Sequence, residues 1–210
     1  MVQSGVDGLF DFQANTDAMA ELRDRYGIPT FGPNATSGPE VEAAMAVTAL
    51  TSGVSRVASV RLANGLDTHY NEWTRDQGPT QARGFAAVAR MIEHLEDLPY
   101  GTDGTWLDHT IIIGFSEFSR TAMLNASSGR DHSLTNAAFL VGGPIKGGQF
   151  IGASSDVGMT PTTTNLVTGL PDPGGVVVRP EHIIRALLHD AGITSDPADL
   201  RVDPLLALLA

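Results

Sequence analysis

Thr110-Ile111-Ile112-Ile113-Gly114-Phe115 is the most continuously apolar run in the chain, and its reading decides the fold. β-Branched residues favour an extended backbone, and six residues are too few for a core helix. A run with no polar alternation fits a strand covered on both faces, as in a parallel sheet. The second such run, Ala137 to Val141, is closed by Gly142-Gly143-Pro144. Arg56 to Leu62 reads as a strand stopped by Asn64-Gly65, and Val176-Val177-Val178 as a shorter one.

Helices stand between these runs. Leu9 to Tyr26 ends at Gly27 and Pro29, and Ser37-Gly38-Pro39-Glu40 reads as a capping box opening a helix that ends near Gly53. Thr80 to Leu98 carries Phe85, Val88, Ile92 and Leu95 at helical spacing, and Pro180 to Ala191 stops before Gly192. Alternating strands and helices predict an α/β fold, a three-layer sandwich with a mostly parallel sheet. Thr110 to Phe115 should lie at its centre with Ala137 to Val141 adjacent. The chain shows no internal repeat, Thr160 to Gly175 reads as a long surface loop, and residues 1–210 read as a single domain.

Thirteen Lys and Arg against twenty-four Asp and Glu give a net charge of -11 over 210 residues, with no basic run. That charge repels nucleic acid and anionic membranes, so neither is an expected partner. No apolar stretch has the length to insert in a bilayer, and the first residues lack the features of an export signal. Cysteine is absent. Any metal must therefore be held by imidazole and carboxylate groups.

In open α/β sheets ligands bind outside the carboxyl ends of strands, which directs attention to the polar residues there. Asp67 and His69 follow the first strand at a spacing of two, so both side chains project to one side if the chain is extended. A carboxylate and an imidazole so placed could share a cation; the plainer reading is a loop hydrogen bond. Glu117 ends the isoleucine-rich run, where it needs a cation or a partner such as Arg120. Asp131-His132 precedes the Ala137 run, and consecutive side chains diverge, so one of the two at most faces a site. His94 on a polar helix face, His182 in a helix first turn and His189 near a helix C-terminus read as structural, and Asp108-His109 begins a strand.

Four ordered motifs then carry a resemblance: Leu66-Asp67-Thr68-His69, Ser116-Glu117-Phe118-Ser119-Arg120-Thr121, Gly129-Arg130-Asp131-His132 and Gly142-Gly143-Pro144-Ile145-Lys146-Gly147-Gly148. Together they resemble the DUF1501 family of bacterial proteins over roughly Leu22 to Ile193. Leu66 stands where members often have Trp, and Ser119 where they often have Gly. The resemblance implies the alkaline phosphatase and sulfatase superfamily, with a divalent metal ion (zinc, calcium or magnesium) on Asp67, His69, Glu117 and His132. Phe118 stands where the superfamily has a second His, which puts a second metal in question. Arg120, Arg130 and Lys146 are implied as holders of a small anionic ester substrate. The resemblance further implies an exported or periplasmic parent, and an N-terminal strand with the nucleophile that this chain begins too late to include. An open sheet edge would then invite a homo-oligomer or an N-terminal partner segment.

Three functions follow as expectations. The first is a metal-dependent hydrolase of phosphate or sulfate esters, with Glu117 and Arg120 at the reacting groups. The second is a serine esterase using Ser116 and His132, because Gly114-Phe115-Ser116-Glu117-Phe118 follows an apolar run as a nucleophile elbow does, though Phe118 replaces the final glycine. The third is a non-catalytic binding protein on a degenerate hydrolase fold.

Overall fold

The computed structural model of the protein describes residues 12–195 and 197–210. Backbone contacts divide the chain into two compact units, Met1–Leu107 with Ala126–Gly129, and Asp108–Asn125 with Arg130–Ala210. The start of the expected first helix, before residue 12, lies outside the described residues.

The first unit is helical. Helices α1 (Phe12–Tyr26), α2 (Pro39–Thr51) and α3 (Gly78–Asp97) pack against one another. On α2 the buried residues are Ala43, Ala44, Ala46 and Val47, small enough to let neighbouring backbones approach closely. On α3 the buried stripe runs Gly84, Ala87, Val88, Met91, His94 and Leu95, a helical repeat that buries one face. Phe85, expected inside, is 53% exposed, so the true stripe is rotated from the one the spacing suggested.

The expected capping box does not form. Ser37 Oγ donates to the Pro33 carbonyl at 2.9 Å, and the N-cap of α2 is Gly38 at φ 119°. Glu40 instead accepts both arms of the Arg83 guanidinium, at 2.7 and 2.8 Å, tying α2 to α3. Burial opposes ionisation of Glu40, but the Arg83 bonds outweigh it and hold the carboxyl below its ordinary range.

His94 is also not where its neighbours in sequence suggested. It is buried, with Nδ1 3.1 Å from the Tyr26 hydroxyl and the two rings edge to face. Residue Tyr26 of α1 covers it, and a single helix's pattern cannot say what a second helix will cover. Burial, followed by the charge of Arg25, pushes the His94 pKa below its usual 6.5. The folded state therefore resists protonation that the unfolded chain accepts, so stability should fall as pH drops through and below 6.5. Thermal melts at pH 7.5 and 5.5 should show a smaller loss of Tm for His94→Gln than for the wild type. Equal losses would remove His94 as the cause.

In the second unit, strand β1 (Ile112–Gly114) pairs antiparallel with β4 (Phe139–Val141), and β2 (Ser119–Arg120) with β3 (His132–Ser133). These are two stretches of one hairpin. The register pairs Ile112 with Val141 and Gly114 with Phe139, then Ser119 with Ser133, a shift of one residue between stretches. Asn136 bridges the interval, its Nδ2 donating to the Ser116 carbonyl at 2.5 Å. Helix α4 (Pro180–Asp190) contributes Ala186 to a small core with Leu205, Ala207 and Leu208, against which Leu140, Ile151 and Leu166 pack. The buried His182 anchors this region through Nδ1, 2.9 Å from the Asp203 carbonyl.

The three-layer sandwich with a mostly parallel sheet is thus overturned. Among the described residues there are four α-helices and two small antiparallel ladders, and no parallel pair. Thr110 to Phe115 is not a central strand: only Ile112–Gly114 is paired, on one side, and Phe115 is 76% exposed. Its neighbour is indeed the Ala137 to Val141 run, reached by a hairpin rather than a helical crossover. Arg56 to Leu62 belongs to no ladder, Val57 being 80% exposed, and Val176 contributes only an isolated bridge to Thr164. Asp108-His109 ends a 3-10 turn instead of opening a strand. The apolar content of these runs is real, but an apolar run specifies burial, not the direction of its partner.

Candidate metal centre

The segment Leu66-Asp67-Thr68-His69 alternates in burial. Thr68 is 3% exposed while Asp67 is exposed and His69 half-buried, and the Thr68 N–H donates to the Leu66 carbonyl at 3.0 Å, a tight turn centred on Asp67. Asp67 Oδ1 and His69 Nε2 lie 3.0 Å apart. Behind them stands a single π turn, Trp73–Gln77, which runs directly into α3. Pro79 cannot donate to the carbonyl four residues earlier, and the widened turn stands just before it. From that turn the buried Gln77 reaches back, with Nε2 2.5 Å from the Leu66 carbonyl and 2.9 Å from Thr68 Oγ1. Nothing in the sequence marked Gln77, which reads as one more polar residue before Gly78-Pro79.

Gly129 of the third motif presses against the same segment. A Cβ at this position would run into the His69 carbonyl and the Tyr70 amide nitrogen, and Ser128 bridges to Tyr70. His132 lies three residues further on, so the chain itself holds it within about 10 Å of Gly129. Asp67, His69 and His132 each offer a possible ligand atom. This group could hold a metal ion.

On the hairpin, His132 is the register partner of Arg120, so their side chains share a face. Phe118 lies under the imidazole, ring centroids 4.0 Å apart and planes 26° from parallel. The Arg120 guanidinium sits over the other part of that ring, 5.5 Å from its centroid. Arg120 Nη1 also donates to the Arg130 carbonyl at 3.1 Å.

The remaining expected residues sit differently. Glu117 is exposed at a bend between β1 and β2 and is outside the three-residue group. Ser116 Oγ donates to the Phe118 carbonyl at 2.7 Å, within a hairpin and not at a strand-to-helix turn, so the elbow geometry of a serine esterase is absent here. Arg130 spends Nη1 on the Thr121 carbonyl at 2.8 Å and on the Ala122 carbonyl, stapling the hairpin tip. Lys146 is exposed, its backbone N–H bonded to the Leu208 carbonyl at 2.8 Å.

The family model described as "Protein of unknown function (DUF1501)" matches residues 2–169. The chain belongs to the DUF1501 family. The match takes in all three members of the Asp67, His69 and His132 group, so the candidate centre of this DUF1501 protein lies wholly within the shared region. No curated protein and no solved structure matches the chain. No helix among the described residues of this DUF1501 chain is long and apolar enough to cross a membrane.

Proposed function

We propose that the chain is a metal-dependent hydrolase of phosphate or sulfate esters whose cation is held by Asp67, His69 and His132. The observation that carries this reading is the pairing of a carboxylate and an imidazole, Asp67 Oδ1 and His69 Nε2 lying 3.0 Å apart, in a chain whose hairpin offers a second imidazole at His132. Two nitrogen donors and one oxygen donor suit zinc or another first-row divalent ion, because calcium and magnesium take oxygen-rich sites. Three protein ligands leave room for water or substrate, and the side chain of Asp67 is 73% exposed, open to solvent. A divalent ion bound there would polarise the ester and make water nucleophilic near neutral pH.

The residues around the ligands have definable tasks under this reading. Arg120, opposite His132 in the hairpin register, is the group placed to bind an anionic ester oxygen. Its stacking on Phe118 sets the guanidinium plane. Glu117, exposed beside them in sequence, is the candidate proton acceptor. The reading is tested by elemental analysis of the purified protein together with turnover of nitrophenyl phosphate and nitrophenyl sulfate. About one cation per chain, and hydrolysis that a chelator abolishes and zinc restores, is the expected result. A protein that binds no divalent cation and ignores the chelator would end it.

A further inference from the structure

Gln77 makes no contact that a substrate or cation would use, yet it is 4% exposed and all of its amide's hydrogen-bonding capacity facing the Asp67 segment is engaged. Both N–H groups of Nε2 are directed, one to the Leu66 carbonyl and one to Thr68 Oγ1, while Oε1 accepts from Gln81 Nε2 at 2.7 Å. The orientation of the amide is forced, since a backbone carbonyl can only accept and so must meet the nitrogen. The two bonds bracket Asp67 on either side. They hold Thr68 inward, at the tight turn that brings Asp67 and His69 together.

We propose that Gln77 is a positioning residue that presets the Asp67 and His69 donor pair for cation capture; this rests on reading those two as ligands. The π turn is what makes it possible, because it carries Gln77 on the last residue before α3, on a rigid element eleven residues from Leu66. Groups one step removed from a metal, when they fix its ligands, are worth about 10–100-fold in affinity.

The test compares wild type, Gln77→Met and Arg83→Met by zinc titration against a chromophoric competitor, with hydrogen exchange at residues 66–70 read in the zinc-free protein. Methionine keeps the length and apolar bulk of glutamine and removes only the amide. Arg83→Met weakens the α2–α3 tie without touching the Asp67 segment, so it reports a general loss of stability. Expected for Gln77→Met is a zinc Kd weaker by about 10–100-fold, with faster exchange at residues 66–70; Arg83→Met should leave both near wild type. Unchanged exchange at residues 66–70 in Gln77→Met overturns the proposal whether or not zinc binds. If wild type binds no zinc but Gln77→Met loosens the segment, the metal reading fails while the clamp on Asp67 and His69 stands. Equal changes in the Arg83→Met control would reduce Gln77 to a contributor to stability and also overturn it.

Discussion

His132→Ala should lose its cation while keeping its fold. Of the three proposed ligands it alone sits on the hairpin, and its removal leaves one carboxylate and one imidazole, too few to hold a divalent ion firmly. The affinity loss should exceed the roughly 10–100-fold typical of residues that merely support a ligand. Stability should change little. His132 is exposed, its backbone pairing with Arg120 survives the substitution, and the lost stacking on Phe118 is worth about 0.5–1.5 kcal/mol. Asp131→Asn is the matched control, since Asp131 works inside the hairpin tip, accepting from Asn125 Nδ2 at 2.9 Å. Elemental analysis and a thermal melt on the two variants decide the matter. Full occupancy in His132→Ala would remove it from the ligand set, and so would loss in both variants alike.

How far the sequence disclosed this site depends on the kind of feature. Asp67 and His69 were legible as a pair at a spacing of two, although a tight turn at Asp67, in which the Thr68 N–H donates to the Leu66 carbonyl, brings them together where an extended chain was expected. His132 was separable from Asp131 only in part: consecutive residues diverge, but which one faces the site depends on register with Arg120, which no local pattern encodes. Glu117 was drawn in by its position after an apolar run, a rule that applies to open parallel sheets. With that run in a hairpin the rule does not apply, and the part proposed for Glu117 rests on the family resemblance. Gln77 stayed hidden because a clamp acts through distance in space, and it stands eleven positions along the chain from Leu66.

The fold was legible in its helices and misread in its strands for a related reason. α3 and α4 announce themselves through a 3.6-residue stripe and through Pro and Gly at their ends, which are properties of one segment. Ile111-Ile112-Ile113 states only that something covers it. Two apolar runs joined by more than twenty residues admit a helical crossover or a long hairpin, and the polar, Gly- and Asn-containing joint at Ser116 to Asn136 settles as a hairpin through side-chain bonds such as Asn136 to the Ser116 carbonyl. Those bonds replace the backbone pairs skipped between the two ladders, so the hairpin stays satisfied where its strands are interrupted.

Gly129→Ala should be the most destabilising single methyl that can be added near the site. Position 129 lies in the stretch Ala126–Gly129 that belongs to the helical unit, where it is buried against the peptide joining His69 to Tyr70. An added Cβ meets the His69 carbonyl and the Tyr70 nitrogen, which are backbone atoms and cannot turn aside as a flexible side chain would. Either the loop lifts, breaking the bridge between Ser128 and Tyr70, or the His69 peptide rotates and carries the imidazole away from Asp67. Overpacking that forces the backbone to move costs about 1–3 kcal/mol, and occasionally more. Urea unfolding should therefore show a clearly lower midpoint, and zinc affinity should fall with it, since the displaced His69 is one of the proposed ligands. The same substitution at Gly78 makes the contrast, for that glycine already has helical angles, φ -60° and ψ -55°, and open space around its missing Cβ. Gly78→Ala should lower the midpoint far less, because its Cβ meets no neighbouring backbone and costs only the strain of a helical residue before Pro79. If Gly129→Ala instead melts like wild type and binds zinc as tightly, the loop does not pack against the His69 peptide.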